Sequence, residues 1–114
     1  MGVTRMGKTT IFLADDDEGV RRTLRTFFEG LPGYRVVGEA CDGMEAVEGC
    51  RASAPDVALL DIQMPLLDGV SVARQVLADR AAKCVIILTA FSDREHQLGV
   101  EILLDALLGT NQAP

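Results

Sequence analysis

Val57-Ala58-Leu59-Leu60-Asp61-Ile62-Gln63-Met64-Pro65-Leu66-Leu67-Asp68-Gly69 carries four apolar residues straight into an acid, then turns before a second acid and a glycine. A short, continuous apolar run bounded by turn residues suits a strand buried on both faces of a parallel sheet. The carboxylate of Asp61 then stands at the strand's C-terminal end. Ligands of open parallel sheets bind in the crevice outside that end, which makes Asp61 the first candidate for chemistry.

Upstream, Thr10-Ile11-Phe12-Leu13-Ala14 reads as another buried strand, and it delivers Asp15, Asp16, Asp17 and Glu18. Val20, Leu24, Phe27 and Phe28 follow at i, i+4, i+7 and i+8, one face of a helix that ends near Gly30. Acids in a first helical turn complement the helix dipole, which accounts for one or two of the four. Several carboxylates desolvated together are costly unless a cation joins them. Tyr34 to Ala40 reads as a strand with Val36, Val37 and Ala40 apolar. Asp42 is a helix cap for Gly43 to Ser53, with Met44, Val47 and Cys50 as the expected buried positions. Ala54-Pro55-Asp56 connects to the central strand.

Downstream, Asp68 caps a helix expected over Gly69 to Arg80, with Val72, Val76, Ala73 and Leu77 facing inward, and Cys84 to Thr89 forms a fourth apolar strand. The alternation β-α-β-α-β-α-β requires right-handed crossovers and a parallel sheet with helices on both faces. Asp15 and Asp16, Asp61, and Thr89 then fall at C-terminal strand ends along one edge. Carboxylates converging there suit a hard divalent cation with oxygen ligands and retained waters, magnesium above all. A carboxylate beside such a cation can attack a phosphoryl group in line, giving an aspartyl phosphate.

Composition excludes more than it names. The 114 residues make one domain, 48% of them apolar and 25% charged, with a formal net charge of -6. That charge leaves no general basic surface for a phosphate backbone, so direct nucleic-acid binding is not expected. No run is long enough for a membrane span and no signal peptide is visible, so a cytoplasmic location is expected. Cys41, Cys50 and Cys84 lack the spacing of a zinc site or disulfide framework and are read as buried free thiols. Gly2 to Thr9 fits the nucleotide-binding pattern G-x-x-x-x-G-K-[ST]. That loop needs a strand before it and a helix after it, whereas here a strand follows. The match is read as chance within a disordered tail over 1–9, ahead of a domain over 10–109 and a frayed end over 110–114.

L-A-D-D-D-E after the first strand, L-L-D-I-Q-M-P-L-L-D-G around Asp61 and I-I-L-T-A-F ending the fourth strand resemble the receiver domain of two-component response regulators. The resemblance runs from about Ile11 to Glu95. It implies a flavodoxin-like, doubly wound α/β fold and a phosphoryl group received from a histidine kinase or phosphotransfer protein. By position it implies Asp61 as phosphoacceptor, with magnesium held by Asp16, Asp61 and the main-chain carbonyl of Gln63, and Asp15 acting through water. Thr89 would hydrogen-bond the phosphoryl oxygen beside the small Ala90, and Pro65 and Gly69 would shape the loop after Asp61.

The resemblance fails at the end of the chain. Leu108 stands where the family has an aromatic switch residue and Asn111 where it has a lysine that pairs with the phosphoryl group. The chain's two lysines, Lys8 and Lys83, both precede strands and so belong at the far edge of the sheet. Arg94 brings a positive charge after Thr89, though nothing in its spacing demands a role. In place of a fifth strand and helix, Ser92 to Glu95 fits a capping box, and Val100, Leu103, Leu104, Leu107 and Leu108 form the stripe of a long helix. His96 on that helix is read as solvated.

A four-stranded sheet with this ending exposes the fourth-strand edge, and a homodimer through that edge or through the last helix is one way to cover it. The competing functional reading is a degenerate receiver that no longer switches and serves as an interaction or dimerisation module. A phosphatase working through an aspartyl phosphate would want a second acid two residues after the nucleophile, where Gln63 stands. No output domain or catalytic turnover is expected beyond self-phosphorylation.

Overall fold

The structure is a computed structural model and describes residues 7–88. Within them the chain runs β1 (Thr9–Ala14), α1 (Glu18–Glu29), β2 (Tyr34–Ala40), α2 (Gly43–Ser53), β3 (Val57–Asp61), α3 (Gly69–Ala78) and β4 (Cys84–Leu88). All four strands pair in parallel, in the order β2-β1-β3-β4. This is the flavodoxin-like alternation that the apolar runs predict. The expected positions of Thr89, Ala90, Arg94, His96 and the last helix lie outside the described residues.

Both faces of the sheet are used, because strands buried on two sides must be covered on two sides. Phe12, Ala14, Ala58 and Leu60 face Ala46, Val47 and Cys50 of α2 and Val72, Ala73 and Val76 of α3. Ile11, Leu13, Leu59 and Leu88 face Val20, Leu24 and Phe28 of α1. The chain leaves β1 toward β2 on one side and returns to β3 on the other. That reversal opens a crevice at the carboxyl ends of β1 and β3.

Each helix starts on an aspartate whose side chain accepts from exposed backbone N–H groups: Asp17 from Gly19 and Val20, Asp42 from Glu45, and Asp68 from Ser71. At the other edge of the sheet, the Thr10 N–H donates to Asp56 Oδ2 at 2.8 Å and the Asp56 N–H donates to Thr10 Oγ1 at 2.8 Å. Lys83 Nζ lies 3.3 Å from Asp56 Oδ1. This ring of contacts joins β1 to the segments leading into β3 and β4.

Several expectations need correction. Met44 is 48% exposed and Leu77 51% exposed. The inward faces are instead set by Gly43, Ala46, Val47 and Cys50 in α2 and by Gly69, Val72, Ala73 and Val76 in α3. Small residues bring those helices close to the sheet and fix a phase that turns the larger side chains outward. Only Cys50 is a buried thiol, pushed up to about 11 by burial, whereas Cys41 and Cys84 are exposed. β1 begins at Thr9, one residue earlier than expected, and pairs there with Tyr34. Helix α3 ends at Ala78 and is followed by Arg80 at φ 55°. β2 carries a bulge, since Ile11 pairs with Val36 but Phe12 with Gly38. A strand directly follows Lys8, so the phosphate-loop pattern lacks its helix.

Candidate functional site

The four acids after β1 divide into different jobs. Asp17 is spent on capping α1, its Oδ1 accepting from Gly19 at 2.8 Å and Val20 at 3.2 Å. Glu18 opens the helix and pairs with Arg22 one turn on, at the surface. Asp15 and Asp16 remain for the crevice. The side chain of Asp15 is wholly buried, and its Oδ1 accepts from the Asp17 N–H at 2.9 Å while its own N–H donates to Ala40 at 3.1 Å. Asp16 is exposed.

Asp61 ends β3 opposite Leu88 and is 3% exposed. With Asp15 it is one of the two buried charged side chains among the described residues. Asp15, Asp16 and Asp61 each bring a carboxylate oxygen within 4.8 Å of the others. Like charges this close repel, most strongly between the two buried groups, and a divalent cation would relieve that repulsion. Beside them lies an open cleft of about 570 Å³ lined by Asp16, Ile62, Gln63, Met64, Pro65, Asp68 and Val70. All the donors are oxygens, and the open side leaves room for waters, so the set fits magnesium better than a softer metal.

The loop after Asp61 is held by main-chain bonds. Ile62 donates to Leu88 at 2.9 Å, Gly69 closes the loop onto Ile62 at 2.9 Å, and Leu67 donates to Pro65 at 2.8 Å around Leu66, which takes a left-handed φ of 72°. A Cβ on Gly69 would stand 2.2 Å from the carbonyl oxygen of Asp61, so only glycine lets α3 start against the strand end. Asp68 caps that start, and its bond from the Ser71 N–H, helped by the Ser71 hydroxyl, holds its carboxyl below the usual range.

Gly43 also shapes this loop, a part the sequence reading missed. Its N–H donates to Pro65 at 3.1 Å, and a Cβ there would stand 2.0 Å from the Leu67 carbonyl oxygen. The sequence offered only a glycine next to a helix cap, which is common without such a contact. Arg21 is likewise invisible to spacing arguments, yet its Nη1 donates to the main-chain oxygen of Asp15 at 2.8 Å. Lys83 is committed to Asp56, and Lys8 immediately precedes β1, so both lysines stand at the amino-terminal edge as their positions predict.

A parallel sheet of this order with clustered acids at the β1 and β3 ends defines a receiver-type domain. The family model described as the response regulator receiver domain matches residues 11–103, and the chain belongs to this family of two-component systems. It is 38% identical over 86 residues to the uncharacterized transcriptional regulatory protein YhcZ of Bacillus subtilis, covering 75% of this chain and 40% of that protein. It is 40% identical over 83 residues to the response regulator UvrY of Escherichia coli, covering 73% of this chain and 38% of that one. The chain thus spans well under half the length of these relatives.

Among solved structures, the receiver domain of the putative response regulator NarL from Mycobacterium tuberculosis superposes with a TM-score of 0.70 at 31% identity, covering 84% of this chain and 77% of that one. The receiver domain of a Pseudomonas aeruginosa sensor histidine kinase, described with magnesium coordinated in its active site cleft, gives 0.65 at 31% identity, covering 81% and 78%.

Proposed function

We propose that this chain accepts a phosphoryl group on Asp61 from a histidine kinase or phosphotransfer protein. The observation that carries this reading is the meeting of Asp15, Asp16 and Asp61 within 4.8 Å at two adjacent strand ends, two of them buried. Asp16, Asp61 and the carbonyl of Gln63 would hold magnesium directly, and Asp15 through water. Such an ion, when bound, supplies neutralising charge for the phosphoryl oxygens.

The chain's own residues do the rest. One carboxylate oxygen of Asp61 attacks phosphorus in line as the bond to the donor breaks, and the bonding pair leaves with the donor. A mixed anhydride on Asp61 results. Gly69 and Pro65 keep the loop clear of the approach. Thr89 and Ala90 would meet the transferred group, as the family pattern implies.

A second reading, a receiver that binds metal without switching, is favoured by the placement of both lysines at the amino-terminal edge. Intact mass after incubation with acetyl phosphate separates the two. One added phosphoryl group that requires magnesium and disappears in Asp61→Asn supports acceptance. Magnesium binding with no added mass overturns acceptance and leaves the interaction module. Labelling retained in Asp61→Asn moves the acceptor elsewhere.

A further inference from the structure

Arg21 and Arg22 are neighbours on α1 but live in different surroundings. Arg22 is 65% exposed and reaches back to Glu18 in solvent. Arg21 is only 18% exposed, and its guanidinium turns toward the strand ends. Nη1 donates to the Asp15 carbonyl oxygen at 2.8 Å, while Nε lies 3.4 Å from Glu39 Oε1 on β2. Arg25, one turn further, pairs with the other oxygen of Glu39. A surface arginine ordinarily keeps its head in water, so covering this one implies that its two contacts compensate for lost hydration.

The oxygen that Arg21 engages belongs to the peptide joining Asp15 to Asp16. This peptide is where the chain leaves the sheet: the Asp15 N–H still donates to Ala40 of β2, and by Asp17 the backbone is a helix cap. The orientation of that peptide plane sets the direction of the side chains on both sides of it. Both side chains are acids of the proposed metal site.

We propose that Arg21 is a positioning residue of the metal site: held by Glu39, it fixes the Asp15–Asp16 peptide and thereby the aim of both carboxylates. It touches neither metal nor phosphoryl group. The planar fork is what allows one side chain to serve a carbonyl and a carboxylate in different directions; a lysine ammonium on a flexible stem does this less well. The inference rests on the magnesium reading above.

The test is magnesium affinity by calorimetry alongside urea unfolding, for the unaltered chain, Arg21→Ala, Arg21→Lys, Glu39→Gln and the control Arg22→Ala. Supporting residues behind metal ligands typically change affinity by about 10–100-fold, so Arg21→Ala should raise the magnesium Kd by ~10-fold. Arg21→Lys should recover part of that loss, and Arg22→Ala should leave the Kd unchanged. A folded Arg21→Ala with a lower urea midpoint but the original Kd would show a structural staple only and overturn the inference. If Arg21→Ala does not fold, the near-isosteric Glu39→Gln decides: a raised Kd supports the inference and an unchanged one overturns it. Absence of magnesium binding in the unaltered chain would instead strike the reading of the site itself.

Discussion

At the amino-terminal edge of the sheet one acid, Asp56, is answered entirely from within the fold; at the carboxyl-terminal edge three acids crowd together with no lysine of the chain in reach. Asp56 takes hydrogen bonds from the Thr10 N–H and hydroxyl and an ion pair from Lys83. Its carboxyl is held below the ordinary value, chiefly by the Thr10 backbone bond. Asp15, Asp16 and Asp61 instead concentrate negative charge within 4.8 Å. The first arrangement completes a structure, while the second gathers like charge that a bound cation would neutralise, as the proposed function requires. The same residue type thus staples one edge and, on the proposed reading, would hold a metal at the other.

The contrast can be broken at four points. The largest effect should come from Gly69→Ala, because its Cβ would intrude to 2.2 Å from the Asp61 carbonyl oxygen. Overpacking of this kind costs typically 1–3 kcal/mol, and against unyielding backbone we expect about 3 kcal/mol in urea unfolding. Unchanged stability would mean that the α3 start can slide away from the strand end. Asp16→Ala should follow: removing an exposed charged ligand should weaken magnesium by about 10–100-fold while leaving the urea midpoint without metal nearly unchanged. Equal affinity would show that the metal, if bound, sits elsewhere.

Asp56→Asn should cost about 1–2 kcal/mol at neutral pH, since hydrogen bonds to a charged group are worth more than neutral ones. Because the folded carboxyl lies below its unfolded value of about 3.9, its contribution is full above that pH and is lost as pH falls through the folded value. The variant should therefore lose less stability than the unaltered chain between neutral pH and pH ~3, a difference that unfolding curves across that range would read. An identical pH dependence would remove Asp56 from the account.

The smallest effect has the opposite sign. Without magnesium, Asp61→Asn should stabilise the fold by ~1 kcal/mol, because it removes one of three mutually repelling charges. Destabilisation there would mean that contacts of the Asp61 carboxylate within the fold outweigh that repulsion.

Much of the fold is legible in the sequence alone. Apolar runs between helical periods pointed to a parallel α/β sheet, since strands such as β1 and β3, buried on both faces, need helices on both sides. The placement of Asp15, Asp16 and Asp61 at strand ends followed from where those runs stop. The division of labour among the four acids was also partly readable, because Asp17 and Glu18 stand where a helix cap and first turn belong.

What the sequence could not determine were contacts between elements distant along the chain. The exposure of Met44 and Leu77 depends on how closely α2 and α3 approach the sheet, which their small residues decide. The contact of Gly43 with Pro65 and Leu67 joins two segments that no periodicity connects. Arg21 and Arg22 are indistinguishable as letters, and only the packing of α1 against β1 and β2 turns one toward Asp15 and Glu39 and leaves the other in solvent. Local patterning records which residues avoid water; the partner each polar group finds depends on the three-dimensional meeting of elements, where distance along the chain no longer counts.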